Sequence, residues 1–307
     1  MTNIYHNAMG VASSAYHDGI RVASSAYHES VMVNEVVREL HIKNQAKYID
    51  ATLGTGGHTE AILKANGQVL AIEADSEMLK IAENRLKSYI ESGNCKLVNG
   101  NFTDIDRIAQ ENGFNEVSGI LFDLGVSNLH LTDSTRGFSF GTSDTELDMR
   151  LNRESQGVKA SDLLNALRLD QLVDLFKVTM EPGPSRWLSS RILAVREDKP
   201  IKTVSDFLEI CRGLKTGKVA LNEATLPFLA LRIAVNSELD NLRNTLPKAY
   251  KLLEKNGYLV VITFHSREED IVKEFFDKKG EYVAPTELEV NTNPRSRSAK
   301  MRILQRT

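Results

Sequence analysis

Cysteine is nearly absent from this 307-residue chain: two thiols, Cys95 and Cys211, stand far apart. They supply neither a disulfide framework nor metal-ligand spacing, so packing must hold the fold, and a reducing, cytoplasmic setting is expected. Long apolar runs are missing as well. No stretch is long enough to span a bilayer, and the amino terminus lacks the continuous apolar run of a secretory signal, so no membrane partner is expected. Nor does one sign of charge dominate. The 38 Lys and Arg against 41 Asp and Glu leave a formal net charge of −3. That argues against a module that only binds nucleic acid, and much less against an enzyme that visits RNA. The apolar share, 41%, is ordinary for a chain that buries a real core.

What is present is a regular alternation. Strand-like runs occur at "KYIDAT", "QVLAIEA", "CKLVNG" and "SGILFDLG", separated by helix-like runs at 58–65, 76–91 and 104–112. Strand and helix alternating through short connections means a parallel sheet covered on both faces. After Gly125 the pattern stops, and residues 126–158 read as a long polar loop, which in a domain is functional or disordered. Residues 160–215 read as helices broken by Pro182, Pro184 and Pro200. A helical pattern over about 225–255 ends at Gly257, read as a C-cap. "YLVVITF" restores the strand pattern, and a helix at 267–279 and the strand "AKMRILQR" close the chain. The heptapeptide "VASSAYH" occurs at 11–17 and 22–28, too short and too few for a solenoid. It is read as an extension over 1–26, running into an amphipathic helix with Val33, Val36, Val37 and Leu40 on one side. The expected division is a sheet domain at 27–134 and 226–307 with a helical domain inserted at 135–225.

Between the first strand and the following helix sits Gly54-Thr55-Gly56-Gly57. Glycines there let the chain turn sharply and let a ligand approach the backbone. A P-loop needs Lys then Ser/Thr after its last glycine; His58 and Thr59 follow, which discards it. A dinucleotide fingerprint keeps Gly54 and Gly56 but finds Thr59 in its third place. S-adenosylmethionine, which carries no phosphate, needs close backbone approach and then an acid for its ribose. Asp50-Ala-Thr-Leu-Gly54-Thr-Gly56-Gly57 has that form, and Glu73 ends the second strand where a carboxylate can accept both ribose hydroxyls. Alone, Glu73 is as readily a solvated strand-end charge. Phe102 follows the third strand, where a ring can lie against adenine, although an isolated Phe is more often core. Asp123 ends the fourth strand, on the side where open α/β sheets bind ligands; its plain alternative is a turn cap.

The stretches "YIDATLGTGGH", "DLGVSNLHLTDSTRGFSF", "LDMRLN", "AVNSELDNL", "ITFHS" and "NPRSRSAKMRI", spread over 27–307, together resemble the bacterial MraW/RsmH family of small-subunit ribosomal RNA methyltransferases. The resemblance implies a class I methyltransferase (Rossmann-like) α/β sheet with an inserted helical domain, S-adenosylmethionine as methyl donor, and the exocyclic N4 amino group of a decoding-region cytidine as acceptor. It implies Gly56, Gly57, His58, Glu73, Phe102, Asp123 and His130 as cofactor contacts, with Gly54 in the same loop. The chain departs from the family pattern at Gly183-Pro184-Ser185-Arg186 and in "FHSREED", both outside the cofactor residues.

Methyl transfer from a sulfonium is an in-line displacement whose leaving group is already good, so the protein chiefly aligns and desolvates. A cytidine amine is a poor nucleophile, and acceptors on its N–H groups help as charge develops. Asp123 is the candidate catalytic residue. For the RNA, Arg136, Arg150 and Arg153 suit phosphates and Phe138 and Phe140 suit unpaired bases, while Arg295, Arg297, Lys300, Arg302 and Arg306 form a basic tail. Each has a plain reading too: loop anchors for the Phe residues, a solvated edge strand for the tail. His265 reads equally as a substrate contact or a strand-end hydrogen bonder. The expected partner is small-subunit rRNA or the assembled small subunit, with a homodimer possible. Two rivals are open: a nicotinamide oxidoreductase, which would bind NAD, and a ribosome assembly factor without turnover, whose mark would be a broken donor loop. A third possibility keeps the chemistry and moves it to another nucleic-acid amino group.

Overall fold

The central strands carry no alternation of polar and apolar residues, because both faces of the sheet are covered. Strand β4 (Val117–Asp123) buries every residue up to Phe122 and only then ends in a carboxylate. The computed structural model describes residues 30–140, 144–217, 221–277 and 279–307; the duplicated extension lies outside them. Helix α1 (Val33–Glu39) is followed by β1 (Lys47–Asp50), α2 (Gly57–Lys64), β2 (Gln68–Glu73), α3 (Ser76–Glu91), β3 (Cys95–Asn99), a 3-10 turn and α4 (Ile105–Asn112), then β4. These agree with the sequence-based runs to within about two residues.

From β4 the chain enters α5 (Asn128–Thr132), α6 (Ala160–Ala166), α7 (Leu169–Lys177), α8 (Pro182–Asp198), α9 (Val204–Cys211), α10 (Thr225–Asn236) and α11 (Glu238–Leu252). It returns to the sheet through β5 (Leu253–Thr263), α12 (Ser266–Phe276), β6 (Glu281–Val283), α13 (Glu287–Thr292) and β7 (Lys300–Gln305). The strand order is β3-β2-β1-β4-β5-β7-β6. Every pairing is parallel except those of β7. The order reverses between β1 and β4, which opens a crevice at their carboxyl ends. This is the expected Rossmann-like α/β sheet.

Three apolar clusters fill the interior. One packs α4, α11 and α12 on one face of the sheet through residues such as Ile108, Leu246 and Val272. A second packs α1, α2 and α3 on the other face through Val36, Ile62 and Leu86. The third belongs to the helices after β4, with Leu172, Phe176, Ile192, Phe207 and Leu231 at its centre.

Pro182 and Pro184 separate α7 from α8 as the sequence suggests, sitting in the first turn of α8, where the missing N–H groups would have had no partner anyway. Two sequence expectations are corrected. The pattern at 225–255 is two helices, divided by Ser237 at φ 50°. Gly257 is not a C-cap but lies inside β5, where a Cβ would meet the carbonyl oxygens of Glu254, Ser118 and Val117 at 3.0–3.2 Å. Among the described residues no helix is long and apolar enough to cross a membrane.

Candidate functional site

The turn from β1 into α2 is built around a buried acid. Asp50 accepts from the Thr59 hydroxyl (2.7 Å) and the Thr52 amide (3.1 Å), which bends the chain back over the strand end. Gly56 takes a left-handed conformation at φ 85° to start α2. A Cβ on Gly57 would lie 2.1 Å from Ser30 Oγ. These two glycines thus shape and pack the turn, and Gly54, Thr55 and His58 line the cleft beside it.

The cleft has a volume of about 380 Å³ and runs across the carboxyl ends of β1, β2 and β4. Glu73, Phe102, Asp123 and His130 line it, together with Arg232, Asn236, Glu238, Glu268 and Arg295. Glu73 accepts from the Gly54 amide at 2.7 Å and from the Asp75 amide at 2.9 Å. Burial nonetheless pushes its carboxyl up to about 7, against the pull of those two amides. Phe102 meets Phe122 edge to face, with ring centroids 5.6 Å apart, and presents its remaining surface to the cleft.

Asp123 Oδ2 lies 3.2 Å from His58 Nε2. Burial lowers the basicity of His58, but the hydrogen bond and charge of Asp123, with Asp50 and Glu289 beyond, outweigh it, and its pKa is raised. The hydrogen bond to Asp123 thus favours the protonated form of His58. Asp123 Oδ1 and His58 Nδ1 have no hydrogen-bond partner among the described residues. Two buried polar atoms without a partner, in the cleft that Glu73 also lines, fit a polar ligand such as S-adenosylmethionine.

The far wall is fixed by a network that centres on Asp75. Its Oδ1 caps α3 through the amides of Glu77 and Met78, and its Oδ2 receives His130 Nε2 at 2.8 Å and Arg136 at 2.7 Å. Despite the opposing effect of burial, those partners hold Asp75 far below the usual carboxylate range. His130 Nδ1 accepts the Ser127 amide, so its proton sits on Nε2. Both ring nitrogens are spent, and His130 offers the cleft only ring surface. Arg136 is 2% exposed and donates also to Glu77 and to the carbonyls of Arg150 and Leu151.

Arg136 is thus a correction: it is a buried brace, not a phosphate contact. Phe138 is likewise core, packed 5.4 Å from His130. Arg150 and Arg153 converge on the buried Asp148, so they too hold the loop. The described residues of 126–158 pack around these ions, and the lack of periodicity there reflects their buried charges. Phe140 remains at the surface, edge-on to Phe228 at 4.7 Å. His265 caps α12 and faces Glu268. Arg302 pairs with Glu269, and Arg306 donates to the carbonyl of Lys251. Arg297 and Lys300 are exposed. The residues missed from sequence, Arg232, Asn236, Glu238 and Asn241, come from "RIAVNSELDN", whose helical periodicity concealed a turn at the cleft rim.

A family model described as the MraW methylase family matches residues 25–288. A protein named ribosomal RNA small subunit methyltransferase H from Methylacidiphilum infernorum is 42% identical over 295 residues, covering 89% of this chain and 92% of its own. One of the same name from Pseudothermotoga lettingae is 39% identical over 291 residues, covering 90% and 97%. Among solved structures, an rRNA methylase from Streptococcus thermophilus covers 90% of this chain and 94% of its own at a TM-score of 0.43 and 12% identity.

Proposed function

The chain belongs to the MraW methylase family, its cofactor is S-adenosylmethionine, and from that premise we propose that it methylates the exocyclic N4 amino group of a cytidine in the decoding region of small-subunit ribosomal RNA. The observation that carries this reading is the Asp123 carboxylate. It ends a buried strand, lines the cleft and keeps one oxygen without a partner.

When bound, the cofactor supplies an activated methyl group on a sulfonium. The remaining roles fall to this chain. Glu73 takes the ribose hydroxyls, the Gly54–Thr55 turn meets the amino-acid part, and Phe102 lies against the adenine. Asp123 Oδ1 accepts an N–H of the incoming amine and so keeps its nitrogen lone pair available. His58 holds Oδ2 and fixes the direction in which Oδ1 points. No strong base is needed, because the methylated ammonium sheds its proton readily. The helices over 135–225, together with Phe140, Arg295 and Arg297, form the acceptor side, and the sheet at 27–134 and 226–307 forms the donor side. The acceptor is small-subunit rRNA, alone or within the assembled subunit.

The test is in vitro methylation of small subunits from cells that lack the gene, read by nucleoside mass spectrometry. Methyl on cytidine N4 alone supports the reading. Methyl at another position, or none with donor demonstrably bound, sinks it.

Donor affinity is expected to depend on pH through Glu73. The carboxylate accepts both ribose hydroxyls, whereas the protonated acid turns one oxygen into a donor. With its pKa near 7, affinity should fall by about tenfold between roughly pH 8 and pH 6, and Glu73→Gln should bind weakly with a flat profile. Calorimetric titration with S-adenosylmethionine reads this directly; a flat wild-type profile would remove Glu73 from the ribose. For the fold the sign is opposite. A carboxyl that protonates more readily folded than unfolded costs stability as pH rises from about 4.5 toward 7.

A further inference from the structure

We propose that the groove between β6 and the start of α12 is a second RNA subsite. It takes the nucleotide next to the target base, with that base stacked on Tyr282 and its phosphates on Arg297 and Lys300. This rests on the RNA reading above and extends it to a surface outside the donor cleft.

The groove has a volume of about 470 Å³ and shares the walls Phe264 and Ser298 with the cleft, so the two adjoin. Its lining holds Arg297 and Lys300 and no carboxylate. Both cations are exposed and have no ion-pair partner among the described residues. Most other arginines of this region are spent inside the protein, as Arg302 is. These two project charge toward solvent next to a site that acts on a polyanion.

Tyr282 supplies the second element. It is 51% exposed although it sits on a strand paired with β7, where an aromatic ring ordinarily finds cover. One face is occupied: the Arg302 guanidinium lies 5.4 Å from the ring centroid. Arg302 is itself held by two hydrogen bonds to Glu269 Oε1, at 3.0 and 2.8 Å. Glu269 is almost fully buried. The ring is therefore braced from behind by a fixed cation while half its surface stays bare. A rigid aromatic with a free face beside unpaired cations suits an unpaired nucleotide of single-stranded RNA.

The experiment is fluorescence anisotropy with a short single-stranded RNA carrying a central cytidine, on the full chain. Tyr282→Ala should weaken binding by about tenfold, and Tyr282→Phe should keep it, since stacking needs the ring and not the hydroxyl. An abasic residue placed in turn on each side of the cytidine should, on one side, weaken wild type by a similar factor and leave Tyr282→Ala unaffected. Arg297→Gln and Lys300→Gln should each flatten the dependence of log affinity on log salt by about 0.7. Unchanged S-adenosylmethionine affinity in every variant verifies the fold. Equal binding by Tyr282→Ala and wild type, or an abasic penalty that persists in Tyr282→Ala, overturns the subsite alone. A wild-type protein that holds the donor but binds no single-stranded RNA also overturns the subsite, and one that fails to bind the small subunit as well overturns the RNA reading with it.

Discussion

Asp123→Asn is expected to slow methyl transfer by about 10²–10³-fold, with donor affinity changed far less. The substitution keeps the shape and inverts the chemistry. The carboxylate now offers Oδ2 to His58 Nε2 at 3.2 Å and leaves Oδ1 unpartnered. An amide must use its single oxygen for His58, which turns its NH₂ toward the position where the amine's N–H needs an acceptor. Single-turnover rates at saturating donor read the loss, and equilibrium titration separates it from binding. A variant with wild-type single-turnover rate would exclude Asp123 from the reaction. The stability of the pair gives a second readout with a defined sign. Because His58 has a raised pKa in the folded chain, the ion pair contributes fully below the unfolded histidine value of about 6.5 and is lost as pH rises through the folded value. The melting-temperature gap between wild type and Asp123→Asn should therefore be widest in mild acid and close on the alkaline side.

Arg136→Ala is expected to cost about 3–5 kcal/mol, because it leaves buried acceptors facing an empty space. The guanidinium reaches Asp75, Glu77 and two carbonyls of the 150–151 turn, so one truncation unpairs both the start of α3 and that turn. A melting temperature lower by about 10 °C is the expected size in a chain of this length. Thermal unfolding with a parallel RNA-binding titration decides between brace and phosphate contact. An unchanged melt with a flattened salt dependence of RNA affinity would restore the contact. Since Asp75 has its pKa held down, the stabilisation it gives is present at neutral pH. It should disappear as acid protonates the carboxyl.

The sheet half of the molecule is readable from sequence because its signals are local. An apolar run fixes each strand, Asp75 and the glycines mark the helix starts, and the acids Glu73 and Asp123 fall at strand ends by position alone. Arg136, Phe138 and Arg150 misled for the opposite reason. Arginine and phenylalanine in a polar loop have the composition of an RNA surface, yet whether such a side chain points outward depends on partners far along the chain. Asp75 lies 61 residues from Arg136. Asn236 and Glu238 were hidden within a helical pattern because the left-handed break at Ser237 leaves no glycine to announce it. Only Gly, and at times Asn or Asp, takes that conformation readily, so a Ser there gives no warning of it.

That break has an evolutionary consequence. Leu231 of α10 belongs to the interior of the inserted helices, while Leu242 of α11 belongs to the interior against the sheet, and the two sets of buried residues have no member in common. Side chains on one flank of Ser237 can drift, enlarge or shrink without forcing compensating changes on the other. On the proposed division of donor and acceptor sides, a lineage can thus rework the inserted helices while keeping the donor grip, provided Arg232 and Asn236, which line the cleft from α10, are retained.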